Sequence, residues 1–167
     1  MEKLAFDYPV TIDSSYYAAV GEVAVRFSWL EHRLHVLIRE TLRITKSAGR
    51  IALVGKDARV LTDILQTIAE SAALIPDSTL RSKLAQYARD INAKSKHRAN
   101  YVHGVYGTLP ADPIKLYRII LKGQMDTKGE RFTPKSVTQF VSHLTELQER
   151  GLQLTKDLKA LRKGMKP

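Results

Sequence analysis

The chain has 167 residues, and its 27 Lys and Arg exceed its 17 Asp and Glu to give a formal charge of +10. That length suits one domain spanning 1–167, since domains run to roughly 100–200 residues, and 44% hydrophobic with 26% charged residues is a globular rather than a disordered balance. No cysteine is present, which excludes a disulfide framework, a thiol nucleophile and a thiolate zinc site.

Residues 1–13, with Pro9 and Asp13, read as an extended lead-in. Ser14 can cap a long helix running to about Ile44, with Val20, Ala24, Phe27, Leu30, Leu34, Leu37, Ile38 and Leu42 at helical spacing. A break over residues 46–56 carries Gly49, Gly55 and a short apolar stretch from Ile51 to Val54. A second helix follows from Asp57 to Leu74, with Val60, Leu61, Ile64, Leu65 and Ile68 on one face. Ile75-Pro76-Asp77 stops it, and Asp77 or Ser78 can cap a third, whose apolar line is Leu80, Leu84, Tyr87, Ile91, Val102 and Val105. Residues 110–133 read as a loop and hairpin insertion, Leu116 to Leu121 pairing with the segment around Gly129 to Phe132. Thr133-Pro134 starts the last helix, where Val137, Phe140, Leu144, Leu147, Gly151, Leu154, Leu158 and Leu161 alternate three- and four-residue steps. The expectation is an all-α, up-and-down bundle of four to five helices with a small β-hairpin before the last.

No apolar run approaches the roughly 18–20 residues of a membrane span, and the first residues lack the basic-then-apolar order of a secretory signal. A cytoplasmic protein with no membrane partner is expected. The charge surplus favours a polyanion, most simply nucleic acid.

Polar residues interrupt the apolar stripes at two places. Glu31 lies on the line Phe27, Glu31, Leu34, Ile38, and Arg98 on the line Ile91, Ser95, Arg98, Val102. A buried charge needs a partner, so either the two meet in one polar pocket or each reaches water at the stripe edge. Around Arg98 is the densest polar cluster of the chain: Lys94, Lys96, His97, Asn100, Tyr101 and His103. Lys96, Asn100 and His103 share a helix face, whereas Arg98 and His103 stand about 140° apart. They can flank a groove at the helix end. A histidine moves protons near neutral pH and an arginine fork suits phosphate, which is what metal-free phosphodiester cleavage requires.

Elsewhere, Glu31, His32 and His35 could approach a metal, but two histidines without a third ligand more often form a solvated face. No metal or other cofactor is expected. His143 reads as a surface residue. The basic tail, with Lys156, Lys159, Arg162, Lys163 and Lys166, complements the helix dipole first and contacts nucleic acid only secondarily.

At His97-Arg98-Ala99-Asn100-Tyr101-Val102-His103-Gly104 the chain resembles the HEPN superfamily of helical bundles, whose motif is an Arg, four to six residues and a His near a helix end. Arg26 and His32 share that spacing, but Arg98 and His103 also end a long helix and precede the hairpin and terminal helix. The polar residue that often follows the motif Arg is Ala99 here, and Asn100 lies one position later. The resemblance implies a homodimer with a composite ribonuclease site, His103 transferring protons and Arg98 binding phosphate, with Glu31, Lys96, His97, Asn100 and Tyr101 in support. The expected function is a metal-independent endoribonuclease of toxin or phage-defence type acting on RNA, with an antitoxin protein as a further partner. The alternatives are a non-catalytic dimeric module that binds RNA or protein, and a structural dimer in which Glu31 and Arg98 pair.

Overall fold

In the computed structural model, side chains are described for residues 14–103, 133 and 135–164, and backbone alone for the strands given below. The lead-in expected over residues 1–13 lies outside the described residues. Among the described residues five helices carry the fold: α1 (Ser14–Leu42), α2 (Lys46–Leu53), α3 (Ala58–Glu70), α4 (Ser78–Val102) and α5 (Pro134–Gly164). Between α4 and α5 the backbone runs as β1 (Val105–Leu109), β2 (Asp112–Lys122) and β3 (Asp126–Arg131), an antiparallel sheet in that order. Ile119 faces Val105 on one side and Gly129 on the other. The sequence suggested two strands here, and β1 is a third, because Val105 also continues the apolar line of α4.

Side-chain caps set most helix starts. Asp77 Oδ1 accepts from the backbone N–H groups of Thr79 (2.8 Å) and Leu80 (3.1 Å) at the head of α4, and the Thr133 hydroxyl accepts from Ser136 N–H at the head of α5. Such oxygens satisfy amides that have no partner within the helix. Arg81 reaches back to the carbonyls of Ile75 (2.6 Å) and Pro76 (2.9 Å), closing the turn before α4. α1 stops at Leu42 rather than Ile44 because Arg43 takes a left-handed φ of 56°, which ends helical hydrogen bonding.

Residues 46–56, expected as a break, contain a two-turn helix. The Thr45 hydroxyl caps α2 by accepting from Ala48 N–H. Gly49, which looked like a breaker, is instead buried against the Arg39 side chain, whose Cδ a Cβ there would meet at 2.9 Å. Close approach, not a turn, is what this glycine supplies. The apolar stretch is split: Leu53 is buried in the core, whereas Ile51 and Val54 are exposed. α3 in turn is shorter than expected, ending at Glu70, and Val60 is exposed while Leu61, Leu65 and Ile68 are buried.

The chain divides into two compact units, one of Met1–Ala24 with Arg98–Ser142 and the other of Val25–His97 with His143–Pro167. Among the described residues the second holds most of the buried side chains: Phe27, Leu30, Leu34, Leu37 and Ile38 of α1, Leu61 and Leu65 of α3, Leu84, Tyr87 and Ile91 of α4, and Leu144, Leu147, Leu154 and Leu158 of α5. Within it, Arg26 meets Gln148, and Glu40 meets Arg162, so α1 and α5 run parallel. Asp90 binds Arg150 while Asp77 and Leu80 share a groove with Asp157 and Leu161, so α4 runs antiparallel to α5. Gly151 sits where Tyr87 and the Arg33 Cγ come closest to α5, which lets three helices meet. In the first unit, Tyr101 packs on Phe140, ring centroids 5.1 Å apart and tilted by 41°. No helix among the described residues is long and apolar enough to cross a membrane.

Candidate functional site

The residues singled out around Arg98 occupy the last turns of α4. The helix ends at Val102, and its last turn is closed by His103 N–H donating to Ala99 O at 2.9 Å. Arg98 is half-buried and its Nε is buried. The inward position expected from its stripe is thus reached by the head of the side chain as well as the stem. Tyr101 is half-buried against Phe140, which fixes this turn of α4 to the start of α5. Asn100 and His103 are exposed.

Arg98, Asn100, Tyr101 and His103 belong to the first unit, whereas Lys96, His97 and Glu31 belong to the second. Lys96 and His97 are exposed and Glu31 is half-buried on α1. Within one chain Arg98 and His103 differ in setting: Arg98 is half-buried with a shielded Nε, whereas His103, just past the last residue of α4, is exposed. The end of α4 therefore presents imidazole and amide groups to solvent, while the Nε of Arg98 is shielded from it.

His32 is exposed and His35 half-buried on the next turn of α1. Burial first, and the neighbouring His32 second, hold the His35 pKa below its ordinary value. Among the described residues no three His, Asp or Glu side chains gather to hold a metal ion.

Several polar groups that the sequence did not single out are placed by helix pairing. Arg150 binds Asp90 at 2.7 Å and lies 5.9 Å from the Tyr87 ring centroid. Arg162, counted among the basic tail, binds Glu40 at 2.6 Å with both side chains mostly shielded. A groove of about 320 Å³ between α4 and α5 is lined by Lys83, Gln86, Arg150, Gln153, Leu154 and Asp157. Its arginine is already engaged by Asp90, so it offers no convergent set of polar groups to a small ligand. The signal that could have found these pairs is opposite charge at matched heights on neighbouring helices, which needs the pairing of helices to be known.

No protein-family model, curated protein or solved structure matches this chain.

Proposed function

We propose that the protein is a metal-independent endoribonuclease whose site is completed by a second copy of the chain. The reading rests on the resemblance of Arg98 to His103 to the HEPN motif. The observation that carries it is the exposed His103 at the end of α4, five positions after a half-buried arginine whose Nε is shielded. In this mechanism a histidine takes the proton of a ribose 2′-OH, whose oxygen attacks the adjacent phosphorus. The P–O5′ bond breaks, the leaving oxygen accepts a proton, and a 2′,3′-cyclic phosphate remains. Arg98 offsets the charge that builds on the phosphoryl oxygens. One imidazole does not serve well as base and acid in the same step, so the second proton carrier is His103 of the partner copy or His97. The setting that fits is a cytoplasmic toxin or phage-defence protein, held in check by an antitoxin.

The test is RNA cleavage in EDTA by wild type, His103→Ala and Arg98→Ala, each checked for folding by circular dichroism. Wild type should cut, and His103→Ala should lose about 10²–10⁴-fold in rate, the usual contribution of a positioned acid or base. An inert wild type, or a His103→Ala variant as active as wild type, would end the proposal. The buried Nε of Arg98 favours a second reading, a dimeric module that binds RNA or protein without turnover. There Arg98→Ala lowers stability, and RNA is bound in a salt-sensitive way but left intact.

A further inference from the structure

The second unit carries an exposed tryptophan in a basic setting. Trp29, the single tryptophan of the chain, is 64% exposed on α1, unusual for a side chain that is mostly buried in folded proteins. Val25, one turn earlier on the same face, is 57% exposed. The position of Trp29 follows from its neighbours. Arg26 is hydrogen-bonded to Gln148 and Arg33 lies against Gly151, so positions 26, 29 and 33, at three- and four-residue steps, border α5. On α5, Leu152 stands one turn beyond Gln148 and is 45% exposed. Trp29 and Leu152 thus flank one seam between two parallel helices.

From Leu152 the same edge of α5 continues as Lys156, Lys159 and Lys163, at steps of four, three and four, and all three are exposed. The row extends about 16 Å beyond Leu152 at 1.5 Å per residue. None of these lysines is held in an ion pair or hydrogen bond among the described residues. The carboxylate nearest along the seam, Glu40, is taken by Arg162 at 2.6 Å. Two acidic residues stand near this row on α5: Glu149, a turn before Leu152, and Asp157, beside Lys156, whose carboxylate accepts from Gln153 Nε2 at 2.7 Å. His32 on α1 is exposed one turn from Trp29 and adds a further donor. An indole face followed by a row of unneutralised ammonium groups is the pairing that unpaired bases and their phosphates require: stacking on the aromatic and electrostatic tracking of the backbone.

We infer that the α1–α5 seam binds single-stranded RNA, a base stacking on Trp29 and the phosphates following Lys156, Lys159 and Lys163. The inference takes RNA as ligand from the function proposed above, but concerns residues other than Arg98 and His103. It gives the protein a strand-holding element with little sequence preference, since every base has a face to stack and phosphates carry no sequence information.

The test uses the native tryptophan as its own reporter. Full-length protein is titrated with a short 2′-O-methyl oligouridylate, which lacks the attacking hydroxyl and so is bound without being cut, with fluorescence excited where tyrosine is silent. Failure of this site and failure of the nuclease reading are thereby separated, because quenching is measured whether or not the protein cleaves unmodified RNA. Saturable quenching is expected, stronger for the single strand than for duplex RNA or heparin. With a labelled oligonucleotide and anisotropy readout, Trp29→Ala should weaken binding about 5- to 150-fold, the range that base–aromatic stacking supplies, while Trp29→Phe keeps most of the affinity. Replacing Lys156, Lys159 and Lys163 by Gln should reduce the slope of log K against log salt by about 2, at about 0.7 per phosphate contact on a single strand.

Three results would overturn the inference. One is absence of quenching up to about 10⁻⁴ M, the weak end of non-specific nucleic-acid binding. Another is equal quenching by heparin, which reports a polyanion surface without stacking. The third is a tryptophan signal that follows protein concentration in the absence of RNA, which would assign the seam to a second copy of the chain.

Discussion

Replacing Tyr87 by Phe should make the protein more stable. The ring is fully buried in α4, and its hydroxyl has no hydrogen-bond partner among the described residues. Burial raises the pKa of the phenol far above its ordinary value and outweighs the Arg33 and Arg150 cations, which act in the opposite direction, so the group is a neutral hydroxyl. Leaving a buried hydroxyl unsatisfied costs about 1–3 kcal/mol. Phe removes that cost and keeps the ring under Arg150, whose guanidinium lies 5.9 Å from the centroid. Against the gain stand the few dispersion contacts of one oxygen, at about 0.1–0.2 kcal/mol each. The net expectation is a gain of about 1–2 kcal/mol. With a urea slope of about 2 kcal/mol/M, the midpoint followed by circular dichroism moves up by about 0.5–1 M.

A companion substitution tests the geometry behind that figure. A Cβ at Gly151 would collide with the Tyr87 hydroxyl and would meet the Arg33 Cγ at 2.5 Å and the Tyr87 Cζ at 2.9 Å. Overpacking of this kind costs about 1–3 kcal/mol or more, against about 1 kcal/mol gained in helix propensity. Gly151→Ala should therefore destabilise, and less so in the Tyr87→Phe background, with a coupling of at least about 0.5 kcal/mol. A Tyr87→Phe variant destabilised by about 1 kcal/mol or more, or strictly additive effects of the two changes, would refute the reasoning. The hydroxyl would then be satisfied by a partner, such as a bound water, that compensates its burial.

Other predictions concern caps, charge pairs and pH. Asp77→Ala removes an acceptor serving two backbone amides at the start of α4 and should cost about 1 kcal/mol in urea unfolding, whereas Asp77→Asn should cost little. Glu40→Gln removes a mostly shielded partner of Arg162 and should cost about 1–2 kcal/mol, a loss that Arg162→Gln made in the same chain should not double. The His35 pKa is held below 6.5, so as pH falls the unfolded chain protonates this residue before the folded one. The His35 contribution is therefore complete above about pH 6.5 and is lost below it. The urea midpoint of wild type should fall more steeply than that of His35→Gln below that pH.

Sequence reading reaches furthest where one helix carries the whole signal. The α5 seam expected from Val137 to Leu161 is buried at each position but the last, Leu161, which is half-buried, because a three- and four-residue apolar rhythm needs no knowledge of what lies opposite. Asp77 is legible as a cap for the same reason. Arg98 stands on an apolar line and is half-buried, a setting that fits both an inward pair and a side chain reaching water at the stripe edge. α2 was hidden because Gly49 is ambiguous in isolation: the same residue ends a helix or permits close packing, and only the Arg39 side chain beside it decides. The seam of Trp29 and Leu152 was hidden for a different reason. On their own helices Trp29 and Leu152 are scattered apolar residues of the ordinary kind, and they become neighbours only through the parallel register fixed by Arg26, Gln148, Glu40 and Arg162.

The +10 charge divides by residue type, and the division bears on how the proposed function is tested. Four arginines hold the second unit together: Arg26 bonds Gln148, Arg81 the carbonyls before α4, Arg150 Asp90 and Arg162 Glu40. The described lysines make no hydrogen bond or ion pair among the described residues. This follows from chemistry, since a planar fork pre-organised for several hydrogen bonds suits partly buried positions and a strongly hydrated ammonium on a flexible stem suits solvent. Arg98, half-buried with a shielded Nε, belongs with the structural arginines in its setting even if it also meets phosphate. Arg98→Ala should then lower both activity and stability, and a loss of cleavage in that variant alone does not identify a phosphate contact. His103, exposed at the end of α4, is the cleaner probe: His103→Ala should leave the urea midpoint within about 0.5 kcal/mol of wild type while cleavage collapses. If the midpoint falls as far as it does in Arg98→Ala, His103 holds the helix end in place, and its assignment as the proton carrier fails.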